Sequence, residues 1–502
     1  MSTLRSRAVN AAAWGFVGTA GRIGLQLLAQ IVLARLLGPE QYGLFAIGTI
    51  IVGLGTFLSD VGIAYALIQK PDVTSIDIRF VSTWQLIIGG TVTFCIVAGA
   101  EAIARFFGDL RTVDVIQGLA WICLVNSLAA PSMNLLKRSL DFKWLQTAQI
   151  VSYFVGFVLI GIPLAHLGLG VRALVIAWLT QSIIFGVLMY AKVRHPVKPI
   201  IWHSEAAGHF RYGVTVLSTN IVNWATVNID KVLVGRYFSS YQVGLYSTMY
   251  NLLYSPAAAL LGIFQPVFFS ASSRVGTADG DSRRKVTDGY SALICAASVT
   301  VLPLFCFVAA VPESVVGALY GPAWSSAASL LTPLALSMPV IFLWGLTTPL
   351  LWTSGSPGME FTYQLPMGVA FALICYVAAQ YSTLAVAWSV FGLVMVRATV
   401  VGWVACTKLG VGRWQLLGAL RGGIIISAAM ALVASGIQRV CASMPAAMTL
   451  VLSAVVAAMV WLAMLRWMWD YTINAELQKT IMGVAGKIPG VWRERLKPLL
   501  RG

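Results

Sequence analysis

Long apolar runs separated by short polar gaps set the pattern of this chain. The runs lie near residues 9–34, 42–68, 80–103, 112–136, 144–166, 169–191, 210–235, 242–269, 287–311, 325–352, 359–380, 383–407, 414–437 and 444–467. A helix needs about 20 residues to cross the hydrocarbon core of a bilayer, and each run supplies roughly that number. The pattern therefore predicts an all-α integral membrane protein with about fourteen transmembrane helices. The longest polar gaps, near residues 192–210, 271–288 and 469–502, leave no room for a sizeable soluble domain.

Polar residues inside two of these runs are ordered. In the first, Thr19, Arg22, Gln26 and Gln30 fall within about 80° of one another on a helix. In the seventh, Thr215, Thr219, Asn223, Thr226 and Asp230 do the same, with Lys231 adjacent. A polar face in a membrane helix points to the bundle interior or to a water-filled cavity. The glycines of the first run, Gly15, Gly18, Gly21 and Gly24, drift about 60° per step, so they form no single seam. They favour close packing and bending.

The two polar runs are related. The stretches VLARLLGPEQYGLF and LVGRYFSSYQVGLY share Arg35/Arg236, Gly43/Gly244, Leu44/Leu245 and Phe45/Tyr246 at a constant offset of 201. Six runs separate them, which fits a parallel repeat of two six-helix halves. The expected organisation is an N-terminal lobe over 1–192, a linker over 193–210 and a second lobe over 211–408. Helices 13 and 14 follow over 409–468, then a basic amphipathic tail over 469–502. Under the offset Arg22 matches Asn223 and Gln30 matches Lys231, so both halves would present a polar helix to a central cavity.

Composition agrees. The chain is 58% hydrophobic and 10% charged, with a mean hydropathy of +0.82. Its net charge of +16 does not mean nucleic acid, because the basic residues sit in short gaps between apolar runs. With the N-terminus inside, 23 of them fall on the cytoplasmic side, against 6 outside: Arg35, Arg105, Arg111, Arg172, Arg236 and Arg439. That bias places both termini in the cytoplasm. The first run is long and arginine-interrupted, as expected of a retained span and not of a cleaved signal peptide. The seven cysteines form no CxxC pair, and the four histidines form no metal motif. No P-loop sequence is present, so no built-in nucleotide site is expected. The outer gaps are short, and Glu40, Asp109 and Glu313 stand singly in them, which argues against a membrane glycosyltransferase or polymerase.

The remaining intramembrane charges are Asp60, Arg397 and Arg421. With Arg22, Lys231 and Arg397 set against Asp230 and Asp60, the cavity would be net positive. Arginine suits phosphate and pyrophosphate, so an anionic substrate is expected over a cationic drug. The structural alternative for Arg22 is an ion pair with Asp60 or Asp230.

The motifs ARLLGPEQYGLFAIG, SDVGIAYALIQK, LLKRSLDFK, NIDKVLVGRYFSSYQVGLYS, PVFFSASSR and LYGPAWSSAASLLTPLAL resemble those of Wzx-type polysaccharide flippases, in the multidrug/oligosaccharidyl-lipid/polysaccharide (MOP) exporter superfamily. The resemblance implies two lobes in a V and alternating access. It implies transfer of undecaprenyl-pyrophosphate-linked sugar units across the bacterial inner membrane, for exopolysaccharide, O-antigen or capsule. Arg22, Lys231 and Arg397 would then engage the pyrophosphate. Asp60 or Asp230 would pair with them or carry a coupling ion, H+ or Na+, and Thr19, Gln26, Gln30, Thr219, Asn223 and Thr226 would line the cavity. No other cofactor is implied. A polymerase and a chain-length regulator would be the protein partners. Lipid II flippases and cationic-drug exporters share the fold and stay open as alternatives.

Overall fold

The structure, a computed structural model, describes residues 2–59, 64, 67, 70, 72–196, 198–202, 206–275, 280–353, 357–409 and 412–478. The expected amphipathic tail from 479 onward and Asp60 lie outside the described residues. The long helices are α1 (Ser2–Ser59), α2 (Ser75–Phe107), α3 (Thr112–Arg138), α4 (Phe142–Tyr153), α5 (Val171–Lys192), α6 (Ala206–Tyr237) and α7 (Ser240–Val275). They continue with α8 (Gly280–Ala310), α9 (Ala328–Thr353), α10 (Pro357–Ala379), α11 (Thr383–Leu409), α12 (Arg413–Val440) and α13 (Ala446–Trp467). The chain after α4 runs on through a π-helical stretch, Phe154–Gly161, to His166.

Among the described residues, ten helical segments are long and apolar enough to cross a membrane. One of them, Gly18–Ser59, takes in most of two of the expected spans, 9–34 and 42–68. The expected seventh, eighth and eleventh spans fall on α6, α7 and α10. Large apolar side chains such as Phe94, Leu373, Val396, Leu432 and Val451 are exposed on the helices, where lipid tails would cover them. The protein is a multi-pass, all-helical membrane protein.

Two apolar runs share α1 because the break between them is abrupt. Gly38 adopts φ 75, ψ 174, a conformation that a side chain would strain, and Pro39 follows. Proline has no N–H to bond back to the preceding turn, but its fixed φ suits the first turn of a new helix. The two arms are tied across the break: the Tyr42 hydroxyl donates to the Gln30 carbonyl at 3.2 Å. The bend expected from the glycine-rich stretch thus lies further along, at Gly38. Gly18 instead packs on α4, where an added Cβ would lie 2.6 Å from Gln146 Cβ, and Gly24 faces open space.

The chain divides into two compact units, Met1–Thr248 with Cys375–Thr383, and Met249–Ile374 with Leu384–Gly502. The first unit extends beyond the 193–210 linker for a physical reason. Within it the start of α1's second arm crosses the start of α7, backbone on backbone. A methyl group at Gly43 would collide with the Ser240 carbonyl, and one at Gly244 would collide with the Pro39 carbonyl. The two glycines also face each other, with Cβ-to-N separations of 3.1 and 3.0 Å. Pro39 and Ser240 are themselves 201 apart, so the contact is reciprocal between equivalent positions of the repeat. The linker is seated on α2 in the same unit. Arg79 Nε donates to the Lys198 carbonyl at 2.8 Å, the Ile200 N–H donates to Thr83 at 3.0 Å, and Trp84 Nε1 donates to the Ile201 carbonyl at 2.9 Å.

In the second unit α12 crosses α8 closely: Ser298 donates to the Ala419 carbonyl at 2.9 Å, and Gly423 lies against the Ser298 backbone. Asn474 Nδ2 donates to the Ser291 hydroxyl at 3.0 Å, which anchors the chain after α13.

Gly43→Ala should destabilise the protein by about 1–3 kcal/mol, because the backbone carbonyl it meets cannot move aside. Gly24→Ala, in open space, should be neutral or stabilise by up to about 1 kcal/mol through helix propensity. Thermal melting of both variants in the same detergent checks the contrast.

Candidate functional site

The polar face of α1 is present. Thr19, Arg22, Gln26 and Gln30 are all partly buried on one helix. α4 packs beside it: a Cβ on Gly21 would lie 4.0 Å from Ile150 Cδ1, and the Tyr153 hydroxyl donates to the Gln26 carbonyl at 3.4 Å. Arg22 Nε is buried and has no hydrogen-bond partner among the described residues, and Gln146 Oε1, on the neighbouring helix, shares that condition. Arg22 makes no ion pair among them.

The alternative pairing of Arg22 with Asp230 is not what the structure shows. Asp230 is only 1% exposed, and its Oδ2 accepts from the Tyr246 hydroxyl at 2.7 Å. Its Oδ1 has no partner among the described residues. In the sequence Tyr246 reads as the aromatic of the repeated GL[FY] motif, and only its hydroxyl, absent from its repeat mate Phe45, marks it as a polar group.

Lys231, next on α6, is half-buried, and its Nζ donates to Asn228 Oδ1 at 3.1 Å. Thr226 gives its hydroxyl hydrogen to the Val222 carbonyl of its own helix at 2.8 Å, which leaves its oxygen as an acceptor. The side chains of Thr219 and Asn223 lie outside the described residues. Arg397 stands in the second unit, on α11, with its guanidinium 3.7 Å from the Trp344 ring centroid. The first unit therefore holds Arg22, Lys231 and Asp230.

Residues that stand singly in the sequence form a cluster beside the Gly43–Gly244 crossing. Arg111, after the Gly108 cap of α2, reaches Glu40 at 2.7 Å and Asp109 at 2.8 Å. Ser240 donates to the same Asp109 carboxylate at 2.6 Å. Arg111 thus joins the start of α1's second arm, the α2–α3 loop and the start of α7. Its hydrogen bonds hold the Asp109 carboxyl below the usual carboxylate range, and those same bonds raise Arg111.

Long apolar helices with buried cations and a buried carboxylate are the makings of a transporter, and the fold has that company. The structure aligns with a lipid II flippase MurJ in its inward closed conformation at a TM-score of 0.70 and 13% identity, covering 89% of this chain and 96% of that one. It aligns with an inward-facing multidrug resistance MATE family transporter at a TM-score of 0.57 and 16% identity, covering 77% and 94%. The chain shares the fold of these two transporters.

Residues 32–329 match the polysaccharide biosynthesis protein family, and the chain belongs to it. Its relatives include the teichuronic acid biosynthesis protein TuaB of Bacillus subtilis (strain 168), 23% identical over 95% of this chain and 99% of TuaB. They also include the succinoglycan biosynthesis transport protein ExoT of Rhizobium meliloti (strain 1021), 22% identical over 71% of each chain. The lipopolysaccharide biosynthesis protein WzxC of Escherichia coli (strain K12) is 22% identical over 64% of this chain, a match spanning 65% of its own length.

The depressed Asp109 fixes a sign for pH. Its contribution to stability is full above the unfolded carboxylate pKa of about 3.9 and is lost as pH falls through the lower folded value. Arg111→Gln should cost about 1 kcal/mol or less at pH 7, since Arg111 is largely exposed and screened. That deficit should narrow below about pH 4, read as the difference in melting temperature between variant and native protein.

Proposed function

We propose that this protein moves a polyprenyl-pyrophosphate-linked oligosaccharide from the cytoplasmic to the outer leaflet of the bacterial inner membrane, with both termini cytoplasmic. The observation that carries this reading is Arg22, a cation on the polar face of a membrane helix with no carboxylate on it among the described residues and with its Nε buried and unbonded. A partly buried guanidinium without a counter-ion is costly in a bilayer and suited to an anionic ligand. Pyrophosphate supplies paired negative oxygens to its fork, and the lipid chain stays in the bilayer. Lys231 and Arg397 are the further pyrophosphate ligands of this reading. Thr19, Gln26, Gln30, Thr219, Asn223 and Thr226 line the route. The 1–192 and 211–408 lobes would rock about the cavity in alternating access.

Asp230 is the seat for a coupling proton. Its carboxylate is held on one oxygen by Tyr246 and open on the other. Intramembrane acids of this kind serve as proton relays. A delivered repeat unit must then be joined to others, so a polymerase and a chain-length regulator are the expected partners. The relatives' names, which concern teichuronic acid, succinoglycan and lipopolysaccharide, support a sugar cargo.

The test is reconstitution in liposomes with a fluorescent polyprenyl-pyrophosphate-linked sugar. Native protein should deliver it to the far leaflet. Arg22→Ala should lower the rate about 100-fold, on the scale of 2–3 kcal/mol for a charge-assisted contact, with Arg22→Lys retaining part of it. Asp230→Asn should abolish acceleration by an imposed pH gradient while leaving ligand binding. Transport undiminished in folded Arg22→Ala would sink the assignment. Transport of lipid II but not of the sugar lipid would move the cargo to the peptidoglycan precursor.

A further inference from the structure

We propose that the linker between α5 and α6 is a pH-sensitive strap, docked on α2 at neutral pH and released when His195 takes up a proton. Its contacts all lie within the first unit, and the proposal does not rest on the identity of the cargo.

The described linker residues, 193–196 and 198–202, have no helix of their own, so neighbouring helices must take up their backbone groups. Ser132 of α3 donates to the Val193 carbonyl at 3.1 Å, at the base of the strap. Arg79, Thr83 and Trp84 of α2 hold Lys198, Ile200 and Ile201 further on. Lys198, Pro199, Ile201 and Trp202 are exposed. A segment held this way opens more easily than the helices it lies on.

Between the two sets of anchors sits His195, the buried side chain among the described linker residues. Its Nδ1 is 3.5 Å from Ser82 Oγ and 3.4 Å from the Pro196 carbonyl. Ser82 already donates its hydrogen to the Ile78 carbonyl at 2.8 Å, so both neighbours of Nδ1 act as acceptors. The proton of the neutral imidazole therefore sits on Nδ1. Nε2 is buried and has no hydrogen-bond partner among the described residues. Tyr190 of α5 packs at right angles to the ring, with centroids 5.3 Å apart.

A second proton would go to Nε2, where no acceptor meets it. The docked ring would become a buried cation with an unpaired donor. Burial accordingly pushes His195 below its usual range, and the Pro196 carbonyl offsets only part of that. The charged groups on the surrounding elements give no relief. Arg79 of α2, Arg138 of α3, Lys192 of α5, and Arg194 and Lys198 of the linker are cations. The carboxylates of Asp77 and Asp141 are held by Lys70 at 2.9 Å and Lys192 at 3.9 Å, and no ion pair reaches His195 among the described residues. Docking thus contributes in full above the free imidazole pKa of about 6.5 and is lost as pH falls through the lower docked value. Histidine is the side chain whose ordinary pKa falls in this range. α6 follows the strap within a few residues, so release loosens the approach to the helix that carries Asp230 and Lys231.

The test is hydrogen–deuterium exchange of the full-length protein in detergent, read on the peptide spanning 193–202 and corrected for intrinsic exchange at each pH. The segment should be protected at about pH 7.5 and lose protection severalfold by about pH 5.5, within the limit of about tenfold per pH unit that one proton sets. His195→Asn keeps an amide near the Nδ1 position and does not titrate, and His195→Phe keeps a ring against Tyr190. Both should hold their protection steady across that range. Arg79→Ala should lower protection at both pH values and keep the pH dependence, because it removes a strap bond and not the titrating group. Equal protection of the native segment at both pH values overturns the proposal, as does a pH-dependent loss that persists in both His195 variants. Should both variants be unprotected at every pH, the native midpoint decides, below about 6.5 for the proposal and above it against. None of these outcomes depends on whether sugar lipids are flipped.

Discussion

The approach of Gly43 to Gly244 leaves no room for a side chain on either helix, and much of the first unit is arranged around it. Backbone touching backbone brings the starts of two membrane helices together without interdigitated side chains. In a membrane such close approaches do the work that apolar burial does in water, because lipid tails compete equally for apolar surface. Neighbouring elements secure the crossing. Gly38 and Pro39 turn the chain into it, Arg111 bridges Glu40 and Asp109 beside it, and Ser240 donates to Asp109 from the other helix. The exposed ion pairs contribute little energy individually, so they orient the contact and the glycines make it possible.

The crossing also gives physical content to the internal repeat. Equivalent residues touch reciprocally, Gly43 with Ser240 and Gly244 with Pro39, as a pseudo-two-fold axis requires. The repeat is not a copy in its chemistry. Where the second half has Tyr246 bonded to Asp230, the first has Phe45 packed edge-on to Trp178 at 5.8 Å. The buried acid belongs to one half, and the arginine that makes no ion pair among the described residues belongs to the other. The cation and the acid are thus placed in different halves and do not neutralise each other.

Much of this was legible in the sequence. Apolar runs gave the helical membrane class, and helical spacing placed Thr19, Arg22, Gln26 and Gln30 on one face. The offset of 201 identified the two segments that touch. Other features were not, because they depend on which helix lies opposite. The clustering of Glu40, Asp109 and Arg111 joins residues up to 71 apart. Asp230's partner is a tyrosine 16 residues on, across a helix boundary. Gly38-Pro39 marks a break in plain sight, yet the apolar content on both sides reads through it, and the richer glycine pattern at 15–24 draws the eye instead.

α3 also supports the second arm of α1. Gly48 of α1 packs against Val115 and Leu119, and Gly55 lies 2.8 Å by its Cβ position from Cys123 Sγ. The second arm of α1 therefore rests on α3, on the turns just before Ser127 and Pro131. A proline-loosened helix is a poor rest unless something ties its loosened turn to a neighbour. Ser132, one residue past the proline, donates to the Val193 carbonyl at 3.1 Å and supplies that tie. The first arm, beyond the Gly38 joint, carries Arg22, so the joint sets the angle between the arm that α3 supports and the arm that bears the polar face.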